Sequence, residues 1–71
     1  MSTSYTKGLR AFNGLTQQEL AEILGISLTS YNKKETGKVP FTVDELKKLS
    51  EHFNVPIENF FNDEVFKTNT N

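Results

Sequence analysis

Apolar residues recur along this chain at helical spacing, in short runs broken by glycine or proline. Leu9 and Phe12, with Tyr5 one turn earlier, predict a first helix from Tyr5 to Asn13. Asn13-Gly14 ends it, because both residues tolerate the left-handed backbone that closes a helix. Leu15-Thr16-Gln17-Gln18-Glu19-Leu20 then carries a full start device. Thr16 caps, Glu19 returns a bond to the Thr16 amide, and Leu15 closes on Leu20 as a staple. The second helix continues through Ala21, Ile23 and Leu24 and stops at Gly25. Ser27 caps the third, with Ile26 and Tyr31 as its staple pair, and that helix runs to about Glu35.

After the loop Thr36-Gly37-Lys38-Val39-Pro40 the start device repeats, with Thr42 as cap, Glu45 as its partner and Phe41 stapled on Leu46. Val43, Leu46, Leu49 and Phe53 give the fourth helix one apolar side, ending near Asn54, with Lys47 and Lys48 pointing away as a solvated face. Pro56 opens a last short helix that carries Phe60 and Phe61. The expected fold class is all-α, with five short helices and no strand. An edge strand over Asp63–Lys67, paired in a dimer, is the weaker alternative.

The second and third helices are separated by a single glycine turn, so they must cross steeply. Ala21 sits at the expected close approach, and Gly25 allows the turn a conformation that a side chain disfavours. Leu20, Leu24, Ile26 and Tyr31 line the inside of the angle. Gln17, Gln18, Thr29, Asn32 and Lys33 are left outside, available for contact.

With 71 residues the chain is expected to form one domain over residues 1–71, with residues 1–4 and 62–71 as flexible tails. It lies near the lower size limit for a fold held by a single core. There is no cysteine and only one histidine, His52. Disulfides and thiolate metal sites are thereby excluded, and no metal or other cofactor is expected. His52 reads as a surface or packing residue. The six phenylalanines read mainly as core, although Phe60, Phe61 and Phe66 together exceed what so small a core needs and suggest an association surface. No apolar run reaches the ~18 residues of a membrane span. The N-terminal MSTSYTKG lacks the layout of a secretory signal. The expected setting is the cytoplasm.

The net charge is −1, an awkward sum for a nucleic-acid binder, but its distribution is uneven. Residues 1–40 hold Lys7, Arg10, Lys33, Lys34 and Lys38 against Glu19, Glu22 and Glu35, whereas residues 41–71 are acidic overall. A local positive face is compatible with a slightly negative total. An enzyme is not expected: with one histidine and no cysteine there is no set of nucleophile, base and orienting group. Asp44 and Glu45 are explained by the helix start, where the dipole favours acids.

The combination of Leu15-Thr16-Gln17-Gln18-Glu19-Leu20-Ala21, Leu24-Gly25-Ile26-Ser27, Glu35-Thr36-Gly37-Lys38 and Phe41-Thr42-Val43-Asp44-Glu45-Leu46, followed by Phe53-Asn54-Val55 and Phe60, resembles the Cro/CI-type (XRE) helix-turn-helix phage-repressor family. The likeness covers about Leu9 to Phe61. It implies a lambda-repressor-like DNA-binding domain, with the helix-turn-helix formed by helices 2 and 3. It also implies a homodimer on double-stranded operator DNA, in the nucleoid of a bacterial host, as a small phage or prophage regulator of Gram-positive type.

Carried over by position, the resemblance puts Leu28, Thr29, Asn32 and Lys33 against bases and Gln17 against a phosphate. Ser27 caps first and also reaches the sugar-phosphate chain. Lys38 and the amides near Phe41 and Thr42 hold the backbone on the other side. An Arg10–Glu35 ion pair ties helix 1 to the end of helix 3. Asn32 suits an adenine edge, Lys33 a guanine or a phosphate, and Leu28 only a thymine methyl.

Two positions depart from the strongest family pattern. Lys34 stands where many members have an apolar residue, and its stem is expected to cover that site while the ammonium escapes to water. Leu28 is apolar on the reading face. Together with the acidic second half and the surplus phenylalanines, it supports a rival reading: an antirepressor that binds a phage repressor protein, or an antitoxin, using the same fold.

Overall fold

A computed structural model describes residues 5–61. These residues form α1 (Tyr5–Phe12), α2 (Gln17–Leu24), α3 (Leu28–Glu35), α4 (Val43–Phe53) and α5 (Glu58–Phe61), and no strand is present among them. The all-α class and the five-helix order match the reading of the sequence. The tails 1–4 and 62–71, the alternative strand over Asp63–Lys67 and Phe66 lie outside the described residues.

Local chemistry sets where each helix starts. Thr16 and Thr42 form complete capping boxes. The Glu19 amide donates to Thr16 Oγ1 at 3.1 Å, and the Thr16 amide donates back to Glu19 Oε1 at 2.7 Å. The second box, between Thr42 and Glu45, is built from bonds of 3.1 and 2.9 Å. Ser27 caps α3 by accepting from the Ser30 amide. Each such cap is worth about 1 kcal/mol.

The turn between α2 and α3 depends on Gly25 at φ 74°. Its amide donates to Glu22 O, and the Ile26 amide reaches back to Ala21 O at 3.0 Å, which satisfies carbonyls at the end of α2. A Cβ at Gly25 would meet nothing within 4 Å. The glycine is therefore required by its backbone angle and not by crowding. Asn54 closes α4 in the same left-handed conformation, at φ 57°, without a glycine.

The core consists of Leu20, Ala21, Leu24, Tyr31, Phe41, Leu46, Leu49 and Phe60. α2 packs against both α3 and α4, while α1 packs against α5. Ala21 is fully buried, so the two helices of the elbow approach each other over a single methyl group.

Four expectations are corrected by the packing. Phe60, expected among the surplus aromatics, is fully buried and edge-on to Tyr5 with ring centroids 5.0 Å apart. It anchors α5 under α1, and Asn59 Nδ2 adds a 3.1 Å bond to the Tyr5 hydroxyl. Phe12, expected in the core, is 87% exposed. It lies at the end of α1 remote from that Tyr5 contact, and no described element covers it. Val43 is 52% exposed, because the buried side of α4 is made by Glu45, Leu46 and Leu49 and Val43 falls beside it.

The fourth correction concerns Lys34. Its ammonium does not escape to water but meets Glu45 Oε1 at 2.7 Å, with both side chains largely buried. That same oxygen accepts the Thr42 amide. The end of α3 is thus bolted to the start of α4.

Candidate nucleic-acid interface

The outer side of α3 displays Leu28, Thr29, Asn32 and Lys33, all exposed, with Ser27 at its start and Lys38 just beyond its end. These positions lie on one face because residues four apart stack along a helix. Tyr31 and Glu35 of the same helix are buried beside them. Leu28 is 43% exposed and so is partly wrapped by its neighbours.

Behind this face lies an ordered polar cluster centred on Glu35. Arg10 donates from Nε to Glu35 Oε2 at 2.7 Å and from Nη2 to Oε1 at 3.2 Å. Its Nη1 bonds Leu15 O at 2.9 Å, so one guanidinium holds α1, the α1–α2 turn and α3 together. The Tyr31 hydroxyl donates to Glu35 Oε2 at 2.8 Å from within the core. Gln17 Nε2 donates to Glu35 Oε1 at 2.6 Å, and Gln17 Oε1 accepts from Asn32 Nδ2 at 3.3 Å.

The electrostatics follow from this arrangement. Burial pushes the Glu35 carboxyl up, but the bonds from Arg10, Gln17 and Tyr31 and the guanidinium charge outweigh it, so the group titrates below its usual range. The bond to Glu35 raises Arg10, against the opposing effect of burial. Burial, followed by the bond to Glu35, drives the Tyr31 phenol far upward. The single acid of α3 is thereby ionised, neutralised and withdrawn from the surface, while Lys33 remains on the outside. That leaves Lys33 as the exposed charge of α3, with Lys38 just beyond its end, since Lys34 is paired with Glu45.

Two expected contact groups are already occupied in this structure. The Thr42 amide is taken by the Glu45 carboxylate, so it is not available to hold a DNA backbone. The Gln17 side chain faces Glu35 and Asn32, with one amide hydrogen left over. The sequence reading missed the whole Gln17–Glu35–Tyr31 arrangement. Tyr31 and Glu35 are one helical turn apart, a spacing that signals their bond. The link from Gln17 joins residues 18 apart and has no local signature.

An elbow of this geometry, with a polar helix held outward from a fixed base, defines a helix-turn-helix domain. A family model described as helix-turn-helix matches residues 9–60, and the chain belongs to that family, which comprises DNA-binding regulators of the XRE type. No curated protein and no solved structure matches the chain. Among the described residues, no helix is long and apolar enough to cross a membrane.

Proposed function

We propose that this chain is a sequence-specific transcriptional regulator that binds operator DNA by inserting α3 into the major groove. The observation that carries the reading is the division of α3: Tyr31 and Glu35 are locked into the core, while Thr29, Asn32 and Lys33 are exposed together. A helix fixed on one side and hydrophilic on the other fits a groove about 12 Å wide. Thr29, Asn32, Lys33 and Leu28 face bases in this reading. Ser27, Lys38 and the spare hydrogen of Gln17 face phosphates. The capping box uses the Thr16 and Glu19 amides, which leaves those of Gln17 and Gln18 to greet an anion at the start of α2.

The narrower implications of the family resemblance belong to the same proposal. The chain acts as a single domain and a homodimer on a two-fold operator, blocking a promoter as a phage or prophage repressor or Cro-like switch in a Gram-positive host. Its place is the bacterial cytoplasm, at the nucleoid. Selection of duplexes from a random pool tests it, followed by titration at rising salt. The expected result is one enriched motif, with affinity falling steeply as salt rises. A pool that yields no motif and no salt-dependent binding rejects the reading.

The second reading, an antirepressor or antitoxin, is favoured by the exposed apolar pair Leu28 and Phe12. Leu28→Asp would then abolish capture of the partner repressor, with DNA binding absent throughout.

A further inference from the structure

We infer that Gln17 is a specificity-positioning residue: clamped by Glu35, it fixes which way the Asn32 amide faces, so that α3 offers a preset acceptor and donor to adenine. The inference rests on α3 being the DNA-reading helix and names what one of its residues reads.

The argument begins at the carboxylate. An ionised Glu35 has no hydrogen to give, so the Gln17 amide must approach it NH2-first, as the 2.6 Å bond from Nε2 to Oε1 shows. The carbonyl of Gln17 is then turned the other way. Only an N–H can meet it, and Asn32 supplies one at 3.3 Å. One carboxylate therefore sets the polarity of two amides in succession. Glu35 cannot itself turn, because Arg10 holds it with two bonds and Tyr31 with a third.

The consequence lies in what Asn32 has left. With one hydrogen spent on Gln17, it retains Oδ1 and one hydrogen. Adenine presents the complement in the major groove, an N6 donor beside an N7 acceptor. If the Asn32 amide were reversed, with Oδ1 toward a Gln17 N–H, it would keep two hydrogens. Guanine, with its O6 and N7 acceptors, would then fit better. The Glu35–Gln17 pair thus selects adenine over guanine without either residue touching a base.

Gln17→Met tests this, because it leaves the bonds of Glu35 to Arg10 and Tyr31 in place. In the free protein, amide spectra should show one Asn32 side-chain hydrogen protected from exchange beyond its intrinsic rate, and Gln17→Met should remove that protection. On DNA, the base pair at which Asn32→Ala loses its preference identifies the contact. There Gln17→Met should cut the preference for adenine over guanine by about fivefold. It should have no further effect on that preference in an Asn32→Ala background.

Uniform weakening on every duplex with the adenine preference intact would leave Gln17 a phosphate ligand only and overturn the inference. So would no change in either affinity or preference, or an Asn32 amide with no protected hydrogen in the unaltered protein. A protein that selects no duplex overturns the reading of α3 and the base-reading claim with it. The spectra of the free protein, taken without DNA, separate that failure from a failure of the positioning.

Discussion

Arg10 and Glu35, 25 residues apart, meet at 2.7 Å, and the guanidinium that makes the contact also holds Leu15 O. The pair is therefore a joint among three segments. Replacing Arg10 by Met leaves the carboxylate buried with only Gln17 and Tyr31 as donors. We expect a loss of about 3 kcal/mol, because an uncompensated buried charge costs more than the pair itself contributes. Urea denaturation of Arg10→Met against the parent measures it.

Acid should weaken the fold through the same carboxylate. Its folded-state pKa lies below the ordinary 4.5, so the contribution is complete above 4.5 and is lost as pH falls through the lower folded value. Urea midpoints followed from pH 6 downward should therefore hold level to about 4.5 and then decline. Tyr31 acts on the alkaline side. Its raised pKa preserves stability below the ordinary 10, and that contribution fades as pH rises beyond it.

Lys34 and Glu45 should respond unequally to substitution. Lys34→Met keeps the stem packing and the bond from the Thr42 amide but leaves the largely buried Glu45 carboxylate without its counter-charge, so the cost should be about 1–2 kcal/mol. Glu45→Ala removes half a capping box and strands the ammonium, and should cost about 2–3 kcal/mol. Thermal unfolding of the two variants side by side gives the comparison.

The aromatic residues offer a direct test of the packing. Phe60→Ala empties a fully buried site and should cost about 3–5 kcal/mol. Phe12→Ser changes an open surface and should stay within about 0.5 kcal/mol. A large loss at Phe12 would show that something covers it in solution, and sedimentation of the parent chain would reveal a second copy.

Two kinds of contact should separate on DNA. Lys38→Ala should weaken all duplexes alike and lower the salt slope by about 0.9, the signature of one lost phosphate contact. Asn32→Ala should instead relax preference at one base pair by about 1–3 kcal/mol and leave the salt slope in place. Binding isotherms at several salt concentrations decide both.

The sequence by itself determined where α2, α3 and α4 begin and where α2 and α4 end, whereas the last helix starts at Glu58 and not at Pro56, which stays in the turn before it. Thr16–Glu19, Ser27–Ser30 and Thr42–Glu45 are bonds between residues three apart, and Gly25 and Asn54 act through their own backbone angles. Such signals need no knowledge of the rest of the chain. They sufficed to bring out five helices, a tight elbow and an outward polar face. The tertiary structure alone decided which apolar residues are covered and which polar ones are joined. Phe12 and Phe60 look alike in sequence, yet only Phe60 meets Tyr5. Lys34 finds Glu45 11 residues on, and Gln17 finds Glu35 18 residues on. Burial and long-range polar pairing depend on how helices dock, and docking is a property of whole faces that no short window of sequence contains.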